Sequence, residues 1–193
     1  AAAVQGEGVL VRRRGAGDCE FREPEDGTDF VAEWRAYQFA SDMRFDVRRC
    51  ADSGILARGA REGSKSLEQL ERTAVRMGLD WGEVDFDLRK QQVGQVMLAA
   101  FSDRLAVRLG EATLACRVVG GRRGNLDAAS AVKQAQAFVA TEMTEVEGKE
   151  VTVYLNRCAE VSLDDLCALF PSDFHEHDGA SYDSIARRVV NKR

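Results

Sequence analysis

Arginine side chains gather around a glycine-rich stretch in the middle of the chain. Residues 120–132 read GGRRGNLDAASAV, in which Arg122 and Arg123 stand between glycines. Guanidinium groups on one rim of a small domain can neutralise phosphates, and their planar faces can stack on bases. Contact with a polyanion is therefore the chemistry that these residues favour. The candidate set comprises six cations and one hydroxyl: Arg104, Arg108, Arg117, Arg122, Arg123, Ser130 and Lys133.

Two interpretations of this cluster stay open at the level of sequence. In the first, the arginines project from a strand end and a turn, and Ser130 with its neighbouring backbone amides supplies a neutral phosphate contact. In the second, the arginines belong to an ordinary solvated surface and form ion pairs with Asp103 and Asp127. Because charge clusters are common on protein surfaces, the residue types alone do not decide between the two.

The charge balance limits the partners that the whole chain can attract. The 193 residues carry 27 Lys and Arg against 32 Asp and Glu, and the formal net charge is −5. Such a balance excludes a globally basic nucleic-acid coat. Residues 84–135 have more basic than acidic side chains, and residues 136–193 have the reverse. Any contact with nucleic acid is therefore expected from a local patch in the middle segment.

The cysteines and the apolar runs indicate the compartment. Five cysteines are scattered without a C-x-x-C pair, which predicts free thiols in a reducing cytoplasm rather than a disulfide framework or a zinc site. No apolar run reaches membrane-spanning length and no signal-peptide pattern appears, so no membrane partner is expected. The opening residues, AAAVQGEG, lack an initiator Met, which indicates an excised fragment or a processed terminus.

Motifs for nucleotide or hydrolytic chemistry do not occur in the sequence. A Walker A loop needs G-x-x-x-x-G-K-[ST], and GGRRGN lacks the Lys-Ser/Thr ending. No G-x-G-x-x-G turn follows a strand, and there is no G-x-S-x-G elbow. His175 and His177 alternate in the acidic stretch DFHEHD, where a metal site would need further ligands. We therefore expect an exposed polar strand there, no complete active site, and no metal or cofactor held by this chain.

The elements that must position the cationic side chains follow one another along the chain. Residues 1–27 are glycine-rich and charged, and we interpret them as a loop or linker remnant. Residues 28–86 predict a helical bundle, in which Thr28 caps a first helix whose aromatic residues recur at helical spacing. A later helix is predicted to end at Gly78, and its apolar stripe is Leu67, Leu70, Ala74 and Met77.

Residues 87–193 predict a small OB-like β barrel with a terminal hairpin. A helix beginning near Leu88 leads into it, with a predicted buried face of Val93, Val96, Met97, Ala100 and Phe101. From Arg104 the apolar period changes towards two, and four segments read as strands: RLAVRLG, ATLACRVVG, AFVATEMTEV and EVTVYLNRCAEV. SLDDLCALF predicts a short helix capped by Ser162, with Leu163, Leu166 and Phe170 facing inward. The fold class is therefore α+β, an N-terminal helical bundle followed by a small OB-like antiparallel β barrel.

Three motifs in this segment resemble the OB-like domain of DEAH-box helicases. In that family a helix ending in a-a-F/Y-x-D-R-(I/L)-A leads into the first strand, and residues 99–106 read AAFSDRLA. A later strand runs into a small-residue x-P-x-S-A/S turn, which LDAASA resembles with Ala128 in place of the proline. AFVATEMTEV is similar to the family's W-(L/V)-V-x-x-E strand, with Phe138 in place of the tryptophan. The similarity is greatest to the bacterial HrpB type, whose turn reads GRGARLDPASAL.

The resemblance covers residues 28–192, and the order of the elements is its main support. By resemblance, this chain is the C-terminal accessory region of an ATP-dependent helicase and is inactive alone. The Walker A loop, the DEAH box, ATP and Mg²⁺ would belong to two RecA-like domains of the same parent protein. The implied partners are single-stranded RNA or DNA, those RecA-like domains and a regulatory protein. The alternative is a protein-interaction module that docks without binding nucleic acid.

Overall fold

The computed structural model describes the backbone of residues 20–23, 25–79, 86–147, 151–173, 179–183 and 188–192, and the side chains of those up to 173 except 86–91. The chain forms two units, Ala1–Val161 and Ser162–Arg193. Most of the predicted N-terminal loop lies outside the described residues, as do His175 and His177. The boundary predicted between residues 86 and 87 stays a prediction. In the described part of the chain, no helix is long and apolar enough to cross a membrane.

Five short strands form a closed barrel in the first unit. They are β1 (Leu105–Arg108), β2 (Ala115–Val118), β3 (Arg123–Leu126), β4 (Ala137–Val146) and β5 (Thr152–Glu160). Their order around the barrel is β1-β2-β3-β5-β4, and β1 pairs with β4 to close it. The predicted α+β class with a small barrel is thereby confirmed.

One pair of strands departs from the antiparallel arrangement that was predicted. β3 and β5 run parallel, with Asn125 beside Tyr154 and Leu126 beside Leu155. The other neighbouring pairs are antiparallel. The parallel pair arises because β4 pairs with β1 rather than with β3. β5 runs antiparallel to β4 and lies beside β3, so β5 and β3 point in the same direction.

Alternation of side chains along these strands builds the barrel core. Successive strand residues point to opposite faces, so every second side chain enters the interior. Val132 and Ala135 of the connection between β3 and β4 close the core from one side. The buried side chains contributed by the strands are Ala106, Cys116, Val118, Leu126, Phe138, Ala140, Leu155 and Cys158.

The glycine-rich stretch at 120–132 contains both a turn and a strand. Gly120 and Gly121 have φ angles of 82° and 81°, in the left-handed region that glycine adopts without strain. The amide of Val118 donates to the carbonyl of Arg122 at 2.8 Å and starts the β2–β3 ladder. The predicted strand-connecting turn is confirmed here, and Arg123 already belongs to β3.

The first three of the four helices that precede the barrel are α1 (Asp29–Asp42), α2 (Val47–Asp52) and α3 (Ala57–Arg76). Thr28 caps α1 as predicted, since its side-chain oxygen accepts from the amide of Phe30 at 3.3 Å. Of the predicted stripe on α3, Ala74 is buried, whereas Leu70 and Met77 are 42% and 70% exposed. The three helices share one apolar cluster made mainly of small residues: Ala36, Tyr37, Ala40, Cys50, Ile55, Ala57 and Ala60.

A buried ion pair joins α1 to the barrel. The guanidinium Nε of Arg157 on β5 lies 3.0 Å from Oε1 of Glu33, and the two side chains are 9% and 11% exposed. Arg157 has a φ of 50°, which is uncommon for a residue other than glycine and interrupts the regular strand conformation. The side chain of this irregular residue meets the helix, so α1 is attached to the barrel as well as to α2 and α3.

The fourth helix, α4 (Phe86–Ala100), packs on β5 through a glycine. A Cβ atom added at Gly94 would overlap the carbonyl oxygen of Glu160, so only glycine permits this approach. The close contact determines which side of α4 is covered. The predicted buried face is confirmed for Val93 and Met97 but wrong for Val96, which is 61% exposed, and for Ala100, which is also exposed.

The second unit holds α5 (Leu163–Leu169) and a hairpin of β6 (Gly179–Asp183) and β7 (Arg188–Lys192). Ser162 caps α5 as predicted, with a reciprocal hydrogen bond to Asp165 that completes a capping box. Leu163 was expected to face inward, but it is 65% exposed. The capping pattern predicted the start of this helix correctly. The apolar pattern placed Leu163 wrongly, because a helix of two turns offers few positions for burial.

Candidate nucleic-acid interface

The outer surface of β2 and β3 carries two of the candidate arginines side by side. Arg117 and Arg123 are direct partners in the antiparallel ladder. The residues next to them along the strands, Cys116, Val118 and Gly124, are buried, so alternation turns both guanidinium groups outward. Both arginines are exposed. The β2–β3 turn thus produces a pair of cations on one surface.

Among the described residues, no carboxylate compensates this pair. Like charges directly opposite each other destabilise a ladder, by a few tenths to about 1 kcal/mol. Throughout the described ranges, no ion pair joins Arg117 or Arg123 to an acidic side chain. A phosphate held between the two guanidinium groups would relieve the repulsion, because it accepts charge-assisted, bidentate hydrogen bonds from arginine.

Aliphatic side chains flank the arginine pair. Val107 of β1 is the ladder partner of Arg117 on the side away from Arg123, and it is 41% exposed. Val119, two residues after Arg117, is 51% exposed. A surface that combines guanidinium groups with apolar side chains suits a ligand that has both negative charge and flat apolar faces.

Arg122 lies at the end of the β2–β3 turn and is held by an acid. Its guanidinium Nη2 lies 2.9 Å from Oε1 of Glu145 on β4, with side chains 56% and 58% exposed. Exposed pairs of this kind contribute about 0 to 1 kcal/mol. An incoming phosphate therefore competes with a weakly bound carboxylate for this arginine.

Arg108 and Arg104 are used within the protein. Arg108 is buried, and its guanidinium donates to the carbonyl oxygens of Thr113, Lys133, Gly110 and Glu111. It therefore fastens the β1–β2 connection to the connection between β3 and β4. Arg104 is half-buried, donates to the carbonyl oxygen of Thr141 at 2.5 Å and lies over the ring of Phe101 at 5.2 Å. Neither guanidinium therefore lies on the outer surface of β2 and β3, where Arg117 and Arg123 are exposed.

Ser130 is also turned inward. It is 2% exposed, and its hydroxyl donates to Oδ2 of Asp29 at 2.9 Å, while the amide of Val132 donates to its oxygen. The loop amide of Ala131 donates to the other carboxylate oxygen of Asp29 at 2.7 Å. The hydroxyl and this amide are thus occupied by a carboxylate of the chain itself, which takes the place that a phosphate was predicted to fill.

Lys133 remains exposed at the β3–β4 connection. Neither it nor any arginine pairs with Asp103 or Asp127 in the described part of the chain. The carboxylate of Asp127 instead accepts from the amide of Ala129 at 2.8 Å and stabilises the local turn. The candidate cations on the surface are therefore Arg117, Arg123, Lys133 and the acid-paired Arg122.

Two further surface residues were missed by sequence reasoning. Tyr154 of β5 and Asn125 of β3 are ladder partners in the parallel pair, and both lie on the outer surface of the barrel. Their neighbours Leu126 and Leu155 are fully buried, which fixes the side to which the partners point. No local signal could reveal this neighbourhood, because it depends on the pairing of two strand residues that are 29 positions apart in the sequence.

The cysteines among the described residues show no sign of acting as nucleophiles or metal ligands. Cys50, Cys116 and Cys158 are free and buried, and Cys167 is free and half-buried. Burial, followed by the charge of Asp29, raises the pKa of the Cys158 thiol well above its ordinary value. Where side chains are described, no group of three or more His, Cys, Asp or Glu could hold a metal ion. Cys50, Cys116 and Cys158 are core residues, and a buried neutral thiol is a poor nucleophile and a poor ligand.

Comparisons with known proteins assign no family to the chain. No family model matches it, and no curated protein matches it. Among solved structures it is similar to that of the E. coli DExH-box NTPase HrpB, with 20% sequence identity, a TM-score of 0.42 and 68% of this chain covered. The chain spans 15% of the length of that protein. Similarity at this level carries no argument about function, so the functional argument depends on the residues of the barrel surface.

Proposed function

We propose that this chain is a non-catalytic accessory region of an ATP-dependent helicase of the DEAH-box, HrpB-like type. Its OB-like barrel binds single-stranded RNA or DNA weakly on the outer surface of β2 and β3. The helical region before the barrel caps RecA-like domains of the same parent protein, and those domains hold ATP and Mg²⁺. The parent acts in the cytoplasm, with a regulatory protein as a further partner.

The observation that carries this proposal is the uncompensated pair of Arg117 and Arg123. Five-stranded barrels of the OB type bind oligonucleotides on the surface of their second and third strands. The closed strand order of this barrel supports that comparison, and β2 and β3 are the strands that present the two arginines.

Binding on this surface is expected to be electrostatic and weak. Each phosphate contact on a single strand contributes a slope of about −0.7 in log K against log salt. Two arginines therefore predict a slope of about −1.4, which Arg122 and Lys133 make steeper when they take part. The bound strand is held but not separated from its complement, because this region contributes positioning while the motor domains hydrolyse ATP.

Titration of a fluorescein-labelled 12-nucleotide single strand, followed by anisotropy at several low salt concentrations, tests the proposal. Arg117→Gln and Arg123→Gln are each expected to weaken binding and to reduce the salt slope by about 0.7. Arg48→Gln is the matched control, since Arg48 is an exposed arginine on α2, outside the barrel. Undetectable binding by the folded wild-type chain at tens of micromolar protein would contradict the proposal.

The exposed aliphatic residues beside the arginine pair favour a second candidate, a protein-docking module. Val107, Leu109 and Val119 are 41%, 47% and 51% exposed, and an acidic partner surface with apolar patches would match them. The variant Arg122→Glu/Arg123→Glu separates the candidates. Loss of oligonucleotide binding supports the first, whereas loss of docking to the RecA-like domains with unchanged oligonucleotide binding supports the second.

A further inference from the structure

We propose that Tyr154 and Asn125 form a nucleobase-binding subsite next to the arginine pair, with adenine as the preferred base. This inference rests on the proposed binding of single-stranded nucleic acid. In the proposed function the arginine pair contacts phosphates only, whereas this subsite also recognises a base.

The strand register places the two residues together. Tyr154 of β5 and Asn125 of β3 are Cα partners, and Leu155 and Leu126, which follow them, enter the barrel core. Parallel strands lie about 4.8 Å apart, and partners on one face project in the same direction. The phenol ring and the amide therefore stand side by side on the outer surface.

Both side chains are available to a ligand. Tyr154 is 40% exposed, and within the described residues its ring and hydroxyl make no ring contact or hydrogen bond. The half-buried amide of Asn125 likewise has no hydrogen-bond partner among the side chains and backbone that the structure describes. Asn156, two residues after Tyr154, differs, because its amide donates to Thr144 Oγ1 at 3.2 Å. Asn125 thus keeps a donor and an acceptor free for a ligand.

The arginine pair lies within one nucleotide of this subsite. Arg123 and Asn125 are two residues apart on β3, so they share a face and are about 6.6 Å apart along the strand. A phosphate between Arg117 and Arg123 therefore places the adjoining sugar and base towards Tyr154.

The chemistry of the two side chains defines the ligand. An aromatic ring stacks on any base, and loss of one such ring weakens binding by roughly tenfold. A side-chain amide pairs with the donor and acceptor that adenine presents at N6 and N7. Since the bases of a duplex are already stacked on each other, the subsite takes a base from a single strand.

Anisotropy titrations of three labelled 12-nucleotide strands test the subsite: dA12, dT12 and a strand of abasic sites, which keeps the phosphates and lacks the bases. Wild type is expected to bind dA12 roughly tenfold more tightly than the abasic strand. Tyr154→Leu keeps side-chain bulk without a ring, and we expect it to lose most of this preference for dA12 over the abasic strand. Tyr154→Phe retains the ring and is expected to behave as wild type. The Tyr154→Leu substitution should weaken the binding of an rA12 strand by the same factor as the binding of dA12, because the ring contacts the base rather than the sugar.

Asn125→Ala tests the amide separately. This variant is expected to keep the preference for dA12 over the abasic strand and to bring the dA12 and dT12 affinities closer together by several-fold. If its ratio of dA12 to dT12 affinity equals that of wild type, the adenine role of Asn125 is refuted. Circular dichroism melting of each variant verifies that the fold is retained.

The two levels of the proposal fail in different ways. If wild type binds dA12 and the abasic strand equally, with a salt slope that Arg117→Gln reduces, the base subsite is refuted and the phosphate-binding surface stands. If wild type binds none of the strands, the proposed function fails and the subsite fails with it.

Discussion

Asp29 at the start of α1 accepts a hydrogen bond from the hydroxyl of Ser130 in the β3–β4 connection, with 2.9 Å between the oxygens. The amides of Ala131 and Cys158 donate to the same carboxylate at 2.7 and 2.8 Å. One buried acid therefore joins a helix, a loop and strand β5. Because Asp29, Ser130 and Cys158 are all buried, Asp29 is the residue on which the attachment of α1 to the barrel depends most directly.

Removal of this carboxylate is expected to destabilise the protein strongly. Asp29→Ala leaves the buried amide of Cys158, the buried hydroxyl of Ser130 and the part-buried amide of Ala131 without their acceptor, and each buried group costs about 1 to 3 kcal/mol. We expect a loss of about 3 kcal/mol in the free energy of unfolding, measured by urea denaturation. Asp42→Ala, at the exposed end of the same helix, is the control and should change stability by less than about 0.5 kcal/mol. A similar small effect for both variants would refute the role of Asp29.

The same residue predicts a dependence of stability on pH. Burial raises the pKa of Asp29 above its usual value, although the hydrogen bonds from Ala131 and Cys158 oppose this shift. The folded state then binds the proton more tightly than the unfolded state, so this group favours folding as pH falls through its raised pKa and disfavours folding above it.

Asn cannot titrate, so the comparison with Asp29→Asn isolates this contribution. As the pH falls from 7 towards 4, the wild-type free energy of unfolding should rise relative to that of the variant. Urea denaturation of both proteins over this range measures the difference. A constant difference, or one of opposite sign, would show that the pKa of Asp29 is not raised.

The contact between α4 and β5 predicts an unusual response to a common substitution. Gly→Ala inside a helix normally stabilises it by about 1 kcal/mol. At Gly94 the new Cβ would overlap the carbonyl oxygen of Glu160, so the helix must move away from the barrel. We expect Gly94→Ala to lower stability by about 1 to 3 kcal/mol, measured by urea or thermal denaturation. Val96→Ala, at an exposed site on the same helix, is the control, and an increase in stability for Gly94→Ala would disprove the close packing.

The ion pair of Arg122 and Glu145 predicts a variant with increased affinity. Glu145→Gln releases the guanidinium and removes a negative charge from the vicinity of the arginine pair. Because an exposed pair costs at most about 1 kcal/mol to break, we expect up to about fivefold tighter binding of a single-stranded oligonucleotide at low salt. Glu68→Gln on α3 is the control for the change in net charge. Equal affinities for the two variants would mean that Arg122 takes no part in binding.

The outward pair of Arg117 and Arg123 shows how much of the site the sequence contained. The glycines at 120 and 121 predicted a turn, and the apolar period of ATLACRVVG predicted the strand that carries Arg117. The strand character of Arg123 was not predicted, because RGNL has no apolar alternation of its own. Arg108 has the same residue type and a similar strand position, yet it is buried. Its four carbonyl partners come from separate loops whose meeting no periodicity records.

The sequence by itself determined the local features of this protein. The capping side chains of Thr28 and Ser162 and the alternation of β4 and β5 act over a few residues, so their patterns can be read along the chain. Contacts between distant segments could be seen only in the folded chain. They are the hydrogen bond from Ser130 to Asp29, the close approach of the Glu160 carbonyl to Gly94, and the pairing of Asn125 with Tyr154. Those contacts depend on the closure of the barrel, in which packing over the whole core selects one arrangement from many that are locally equivalent.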